Sequence, residues 1–172
     1  MFNLLDKMFI KRFCLPANSD IELYENGSIH MNSCLCGHYN HAACILQGKG
    51  KGKSEKASVL SFGMNQMGDS DGIQPGIHAE QDAINKLQPL KYKKNLESIN
   101  ILVIRLSSKN NLQSSKPCAS CISSMKFLPI KKGYKIQNVY YSDSEGNIIK
   151  TNLTCLDNEE KHYSRFYKQK NK

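Results

Sequence analysis

Two short segments carry residues whose types and spacing can do chemistry: Gly76-Ile77-His78-Ala79-Glu80 and Lys116-Pro117-Cys118-Ala119-Ser120-Cys121. Each stands where a helix is expected to open. Cys118 and Cys121 are spaced i and i+3, so they share one helix face. In a first turn the helix's partial positive charge lowers a thiol's pKa and favours thiolate. Two such thiolates can grip one Zn²⁺ at about 2.3 Å each, and His78 is the candidate third ligand. Three protein ligands leave the fourth tetrahedral position to water, as in a catalytic rather than a closed structural zinc site. Glu80 is then not needed as a ligand. A free carboxylate there can take a proton from water whose pKa the metal has lowered towards about 7, and pass it to a leaving group. That equipment suits hydrolytic attack on an amidine-like carbon with loss of ammonia. Taken alone, the cysteines also fit a structural zinc clip or a redox C-x-x-C, but neither accounts for the placement of His78 and Glu80.

The elements that must position these groups are legible from periodicity and breakers. Residues 1–13 place apolar side chains at helical spacing, and Pro16 to Asp20 break the pattern. Asn26-Gly27 is a turn signal. His41 to Leu46 reads as a buried strand, residues 48–56 as a basic turn, and Ala57 to Gly63 as the returning strand. Ile77 to Leu87 follows with Ala79, Ala83, Ile84 and Leu87 at helical spacing, and Pro89 ends it. Asn100 to Leu106 is a strong strand, Ser107 to Lys116 a polar loop, and Pro117 opens a helix to about Leu128. Ile136 to Ser142 and Asn147 to Leu153 are the last two strands. Tyr163, Phe166 and Tyr167 are expected to dock a short helix in the tail. The alternation predicts a mixed sheet sandwiched by helices.

H-x-E followed by P-C-x-x-C, with this element order, resembles the zinc-dependent cytidine and deoxycytidylate deaminase superfamily over roughly residues 40 to 153. The HAE spelling and the single P-C-x-x-C are more similar to the deoxycytidylate, cytosine and tRNA-adenosine branches than to the tetrameric cytidine deaminases, which carry Cys-x-Glu. The resemblance implies a three-layer α-β-α sandwich with a mixed sheet of about five strands. It implies Zn²⁺ on His78, Cys118 and Cys121, with Glu80 as proton shuttle. It places Asn65, at the end of the second strand, against the ribose or base, and the backbone N–H groups near Ala79 and Cys118 against the base edge. His41 or Asn40, from the first strand, and Tyr141, in the penultimate one, are its further candidate substrate contacts. Lys116 before Pro117, Asp82, and the 12 residues between Asn65 and His78 depart from a strict deoxycytidylate pattern. The implied activity is cytosine-to-uracil deamination of a nucleoside or nucleotide. Cytosine or adenine in RNA or single-stranded DNA is the alternative, and a non-catalytic zinc module the third reading.

Composition bounds the rest. The chain has 172 residues, 24 Lys+Arg against 15 Asp+Glu, a net charge of +9 and seven cysteines. That length fits one compact domain, here residues 28–156, preceded by a helix and turn over 1–27 and followed by a basic tail over 157–172. The longest apolar runs are far short of the roughly 18–20 residues that span a bilayer, so no membrane role is expected. The N-terminus does not read as a signal peptide, and the odd cysteine count suits an intracellular, cytoplasmic or nuclear protein, with room for a homo-oligomer. Cys34, Cys36, His38 and His41 form a second candidate ligand set, for which buried thiols near the first strand are the plainer reading. Cys14, Cys44 and Cys155 are expected to pack as small apolar residues. Lys49, Lys51, Lys53, Lys91, Lys93, Lys94, Lys131 and Lys132, interleaved with Tyr92, Tyr163 and Tyr167, either track phosphates and stack bases or simply solvate turns.

Overall fold

The apolar run Ile101-Leu-Val-Ile lies at the middle of a sheet in the computed structural model of this chain, which describes residues 40–47, 58–66, 68, 76–91, 95–107, 111–160 and 162–163. The expected helix of residues 1–13, the boundary at 27/28, the Asn26-Gly27 turn, Cys14, Cys34, Cys36, His38, the basic turn 48–56, Tyr92, Lys93, Lys94 and the tail from residue 164 lie outside the described residues. The strands are β1 (Asn40–Gln47), β2 (Val59–Met64), β3 (Glu97–Leu106), β4 (Leu112–Gln113), β5 (Tyr134–Ser142) and β6 (Ile148–Thr151). The helices are α1 (Ala79–Lys86), α2 (Ala119–Phe127) and α3 (Leu153–Asn158). Five strands run in the order β2-β1-β3-β5-β6, and the two-residue β4 pairs with β3. The sheet is mixed: only β3 and β5 pair in parallel.

Strand direction decides where the chemistry gathers. β1 is antiparallel to both β2 and β3, so β2 and β3 run the same way. Each is followed by a helix, and both helices therefore start at the same edge of the sheet. Ala42 pairs with Met64, Asn40 with Leu106, and Val103 with Tyr141, so the start of β1 and the ends of β2, β3 and β5 share that edge. Ligand sites of open α/β sheets form at such carboxyl ends.

The helix-facing side of the sheet packs Ala43, Ile45, Ile99, Ile101, Val103 and Val139 against Ala83, Ile84, Ile122, Met125 and Leu156. Ala42, Cys44 and Ile104, which alternate with those residues along their strands, are buried as well. A sheet buried on both faces is the middle layer of an α-β-α sandwich. Burial pushes the Cys44 thiol up to about 12, which leaves it an inert packing group.

α1 lies directly on β2. A Cβ added at Gly63 would stand 2.2 Å from Ala83 N and 2.3 Å from Ala79 O. Ser61 Oγ donates to Ala83 O at 2.7 Å. Buried Asp82 accepts from Met64 N (3.0 Å), Gln66 Nε2 (2.9 Å) and Lys86 Nζ (2.6 Å). At the far end of α1, Lys132 Nζ donates to Asn85 O at 2.7 Å and Leu87 O at 2.8 Å. This lysine closes a helix C-terminus, where a cation is favoured.

Several boundaries differ from the sequence reading. α1 begins at Ala79 and α2 at Ala119, with His78 and Cys118 as their N-caps, so Pro117 precedes the helix and does not open it. The polar loop Ser107 to Lys116 contains β4. The last strand stops at Thr151 because Asn152 Oδ1 accepts from Cys155 N (2.9 Å) and starts α3. α3 docks through Leu153 and Leu156, and Tyr163 is 51% exposed; Phe166 and Tyr167 lie outside the described residues. Cys155 faces solvent, which corrects its expected packing role. No helix among the described residues is long and apolar enough to cross a membrane.

Gly63→Ala must push α1 off β2, because backbone atoms, not flexible side chains, meet the new methyl. The expected loss is about 1–3 kcal/mol of stability, or more, read as a lower denaturation midpoint, together with weaker metal binding at the neighbouring site.

Candidate metal centre

The two N-caps bring their side chains together. His78 Nδ1 lies 3.2 Å from Cys121 Sγ and 3.5 Å from Cys118 Sγ, and all three donor atoms fall within 4.8 Å of one another. A tetrahedral ion with bonds of about 2.0–2.1 Å to nitrogen and 2.3 Å to sulfur separates such atoms by about 3.5 Å. The His/Cys/Cys group therefore fits a metal ion, and its donor set is of the soft, borderline kind. Cys118 and Cys121 are buried, and His78 is half-buried.

Both caps have extended backbone and neither side chain bonds its own helix amides. The amides are served from elsewhere. Asn65 Oδ1 accepts Ala79 N–H at 2.8 Å, and His162 O accepts Ala119 N–H at 3.0 Å. His78 and Cys118 are thereby released from capping. The approach to Cys118 is set by a buried pair of serines. Ser115 Oγ donates to Val103 O (2.9 Å), Ser142 N donates to Ser115 Oγ (2.9 Å), and Ser142 Oγ donates to Gln113 O (2.6 Å).

Electrostatics sort the group. The Cys121 thiol donating to it, together with the neighbouring His78, holds the Cys118 thiol down to about 4 against the opposing cost of burial. Cys121 is correspondingly pushed up, by Cys118 and by burial. The bond to Cys118 raises His78. The pairing thus favours thiolate at Cys118 and a proton on His78, and a metal that binds all three displaces these protons.

Glu80, on the first turn of α1, is 4% exposed. Burial raises its pKa above the usual carboxylate range, while His78 and a hydrogen bond from Cys121 pull it back. It stands beside the metal group and is not one of its three donors.

The remaining expected residues are placed as follows. His41 starts β1 opposite Arg105 on β3 and feels the charges of His78 and Cys118. Burial, Arg105 and His78 bring its pKa down to about 4, so it is neutral at neutral pH, and its buried Nε2 has no hydrogen-bond partner. Asn65 and Ala79 bind each other. Tyr141 is half-buried against the core and within the field of Lys116. Tyr140 lies under Lys150 Nζ, 6.0 Å from its ring centre. Sequence reasoning missed Asp82, the Ser115–Ser142 pair and the segment at His162. A buried acid four residues before Lys86 was the one available signal.

No family model matches the chain, and no curated protein matches it.

Glu80 binds its proton more tightly in the folded chain than in the unfolded one, so ionising it costs stability as pH rises through its raised pKa. Glu80→Gln has no such cost. Its thermal midpoint, measured without added metal, is expected above that of wild type at pH 8. The gap should close towards acid pH.

Proposed function

We propose that this chain is a zinc-dependent hydrolytic deaminase that converts an amino-nucleobase, cytosine to uracil in a nucleoside or nucleotide, and releases ammonia. The observation that carries the reading is a buried carboxyl, Glu80, that stands beside a three-donor His/Cys/Cys group without belonging to it. A closed structural site has four protein ligands and no use for a neighbouring acid of raised pKa.

His78, Cys118 and Cys121 would hold the ion. When bound there, zinc supplies Lewis acidity and makes water a nucleophile near neutral pH. The chain's own groups do the rest. Glu80, its pKa moved towards neutrality by burial, takes a proton at its carboxylate from the attacking water. It delivers that proton to the amino nitrogen, which departs as ammonia while the ring carbon keeps the oxygen. Neutral His41 carries a buried Nε2 without a hydrogen-bond partner, which a polar atom of the base would satisfy. Asn65 spends its carbonyl on Ala79 and retains its side-chain N–H groups for a ligand oxygen.

Five of the described lysines give no support to a polymer substrate. Lys86, Lys116, Lys126 and Lys132 are spent on Asp82, Glu159, Asp157 and the α1 carbonyls, and Lys150 lies over Tyr140. These cations are committed within the fold and do not line a phosphate track.

Zinc-loaded protein incubated with nucleosides, nucleotides and oligonucleotides is expected to give the mass shift of an amino-to-oxo exchange on a cytosine-bearing member. Glu80→Ala should keep zinc and lose about 10²–10⁴-fold in turnover. His78→Ala, Cys118→Ser and Cys121→Ser should lose the metal itself. Zinc-loaded wild-type protein that converts no member of the panel would refute the enzyme reading.

A further inference from the structure

The α2 N-terminus is gripped from outside on both sides of Cys118. One residue after it, Ala119 N–H donates to His162 O at 3.0 Å. Two residues before it, Lys116 Nζ pairs with Glu159 at 2.6 Å. Both partners belong to the short stretch that leaves α3, which itself packs on α2. A helix whose N-cap side chain does not cap leaves amides seeking an acceptor. His162 O holds the Ala119 amide, and with it the backbone from which Cys118 Sγ reaches towards His78 at 3.5 Å.

We propose that Glu159 and His162 clamp the metal centre as positioning residues that keep Cys118 Sγ directed at His78 and so set the affinity for the metal. The inference rests on the metal centre and not on the reaction assigned to it. Outer partners of metal ligands act in this way when they fix a ligand's orientation. The contact with Glu159 matters through Lys116, which the chain carries directly into Pro117 and Cys118. The Lys116 and Glu159 side chains are 33% and 44% exposed, so their attraction alone is modest. Reversing one charge replaces it with repulsion at the base of the knuckle and opens the bond at Ala119.

The test uses the full chain and two probes, zinc by chelator competition and cobalt(II) by its thiolate absorption. Glu159→Lys is expected to weaken zinc binding by about tenfold, above the roughly fivefold that an exposed ion pair supplies at most and at the low edge of what ligand-orienting partners supply. It should shift the cobalt spectrum, speed exchange of the Ala119 amide and leave the unfolding midpoint of the chelator-treated protein in place. Glu159→Gln should show a smaller loss in the same direction. The swapped pair Lys116→Glu with Glu159→Lys should recover most of the affinity and the wild-type spectrum. Wild-type affinity in Glu159→Lys, or a swap that binds no better than the single variant, overturns the clamp. Wild-type protein that binds neither ion refutes the metal centre and the clamp with it, whereas intact binding without deamination refutes only the proposed reaction.

Discussion

The site depends on how closely one helix can approach one strand. Gly63 presents no side chain to α1, and the backbone of Ala79 and Ala83 occupies the space where a Cβ would be. The small residues Ala79 and Ala83 complete the contact from the helix side. That closeness fixes the height of α1 over the sheet, and His78 stands at its first turn. With α1 half a methyl group higher, His78 Nδ1 would no longer reach two sulfurs at 3.2 and 3.5 Å. The bonds from Asp82 and Ser61 then hold α1 where Gly63 allows it to lie. Interiors packed at crystal-like density transmit such a constraint without loss.

The second requirement concerns what the N-caps do not do. A cap side chain ordinarily stabilises its helix by about 0.5–2 kcal/mol. His78 and Cys118 forgo that role, and two distant oxygens, on Asn65 and His162, take it over. That stability is thus supplied by oxygens outside the donor group, and the imidazole and thiolate stay available. Glu80 and His41 add to the cost of the site, one as a buried acid and the other as a buried nitrogen without a partner. Groups held in unfavourable surroundings of this kind gather where ligands bind.

How much of this could be read from the residues follows from the range of each interaction. Cys118 and Cys121 were legible because a spacing of three sets a shared helix face, and His78 and Glu80 because each motif stands where a helix opens. The strands at His41 to Leu46 and Asn100 to Leu106 were legible because sheet interiors show as apolar runs. The convergence of the two pairs was legible only through the inference that strands of like direction place their helices at one edge. Asn65 was singled out, but its bond to Ala79 crosses 14 positions and follows no local pattern. The contacts of His162 and Ser142 are equally non-local. α3 was missed although Asn152 is a good cap and Leu153 and Leu156 share a face, because the last strand was read through to Leu153, over that cap.

The hydrogen bond from Ala119 to His162 also orders events during synthesis. The three candidate ligands are complete once Cys121 has been added, yet the carbonyl that caps α2 belongs to a residue 41 positions later. At about 5–20 residues per second the ribosome needs roughly 2–8 s to supply it. The α2 end can therefore be completed only after all three candidate ligands have been made.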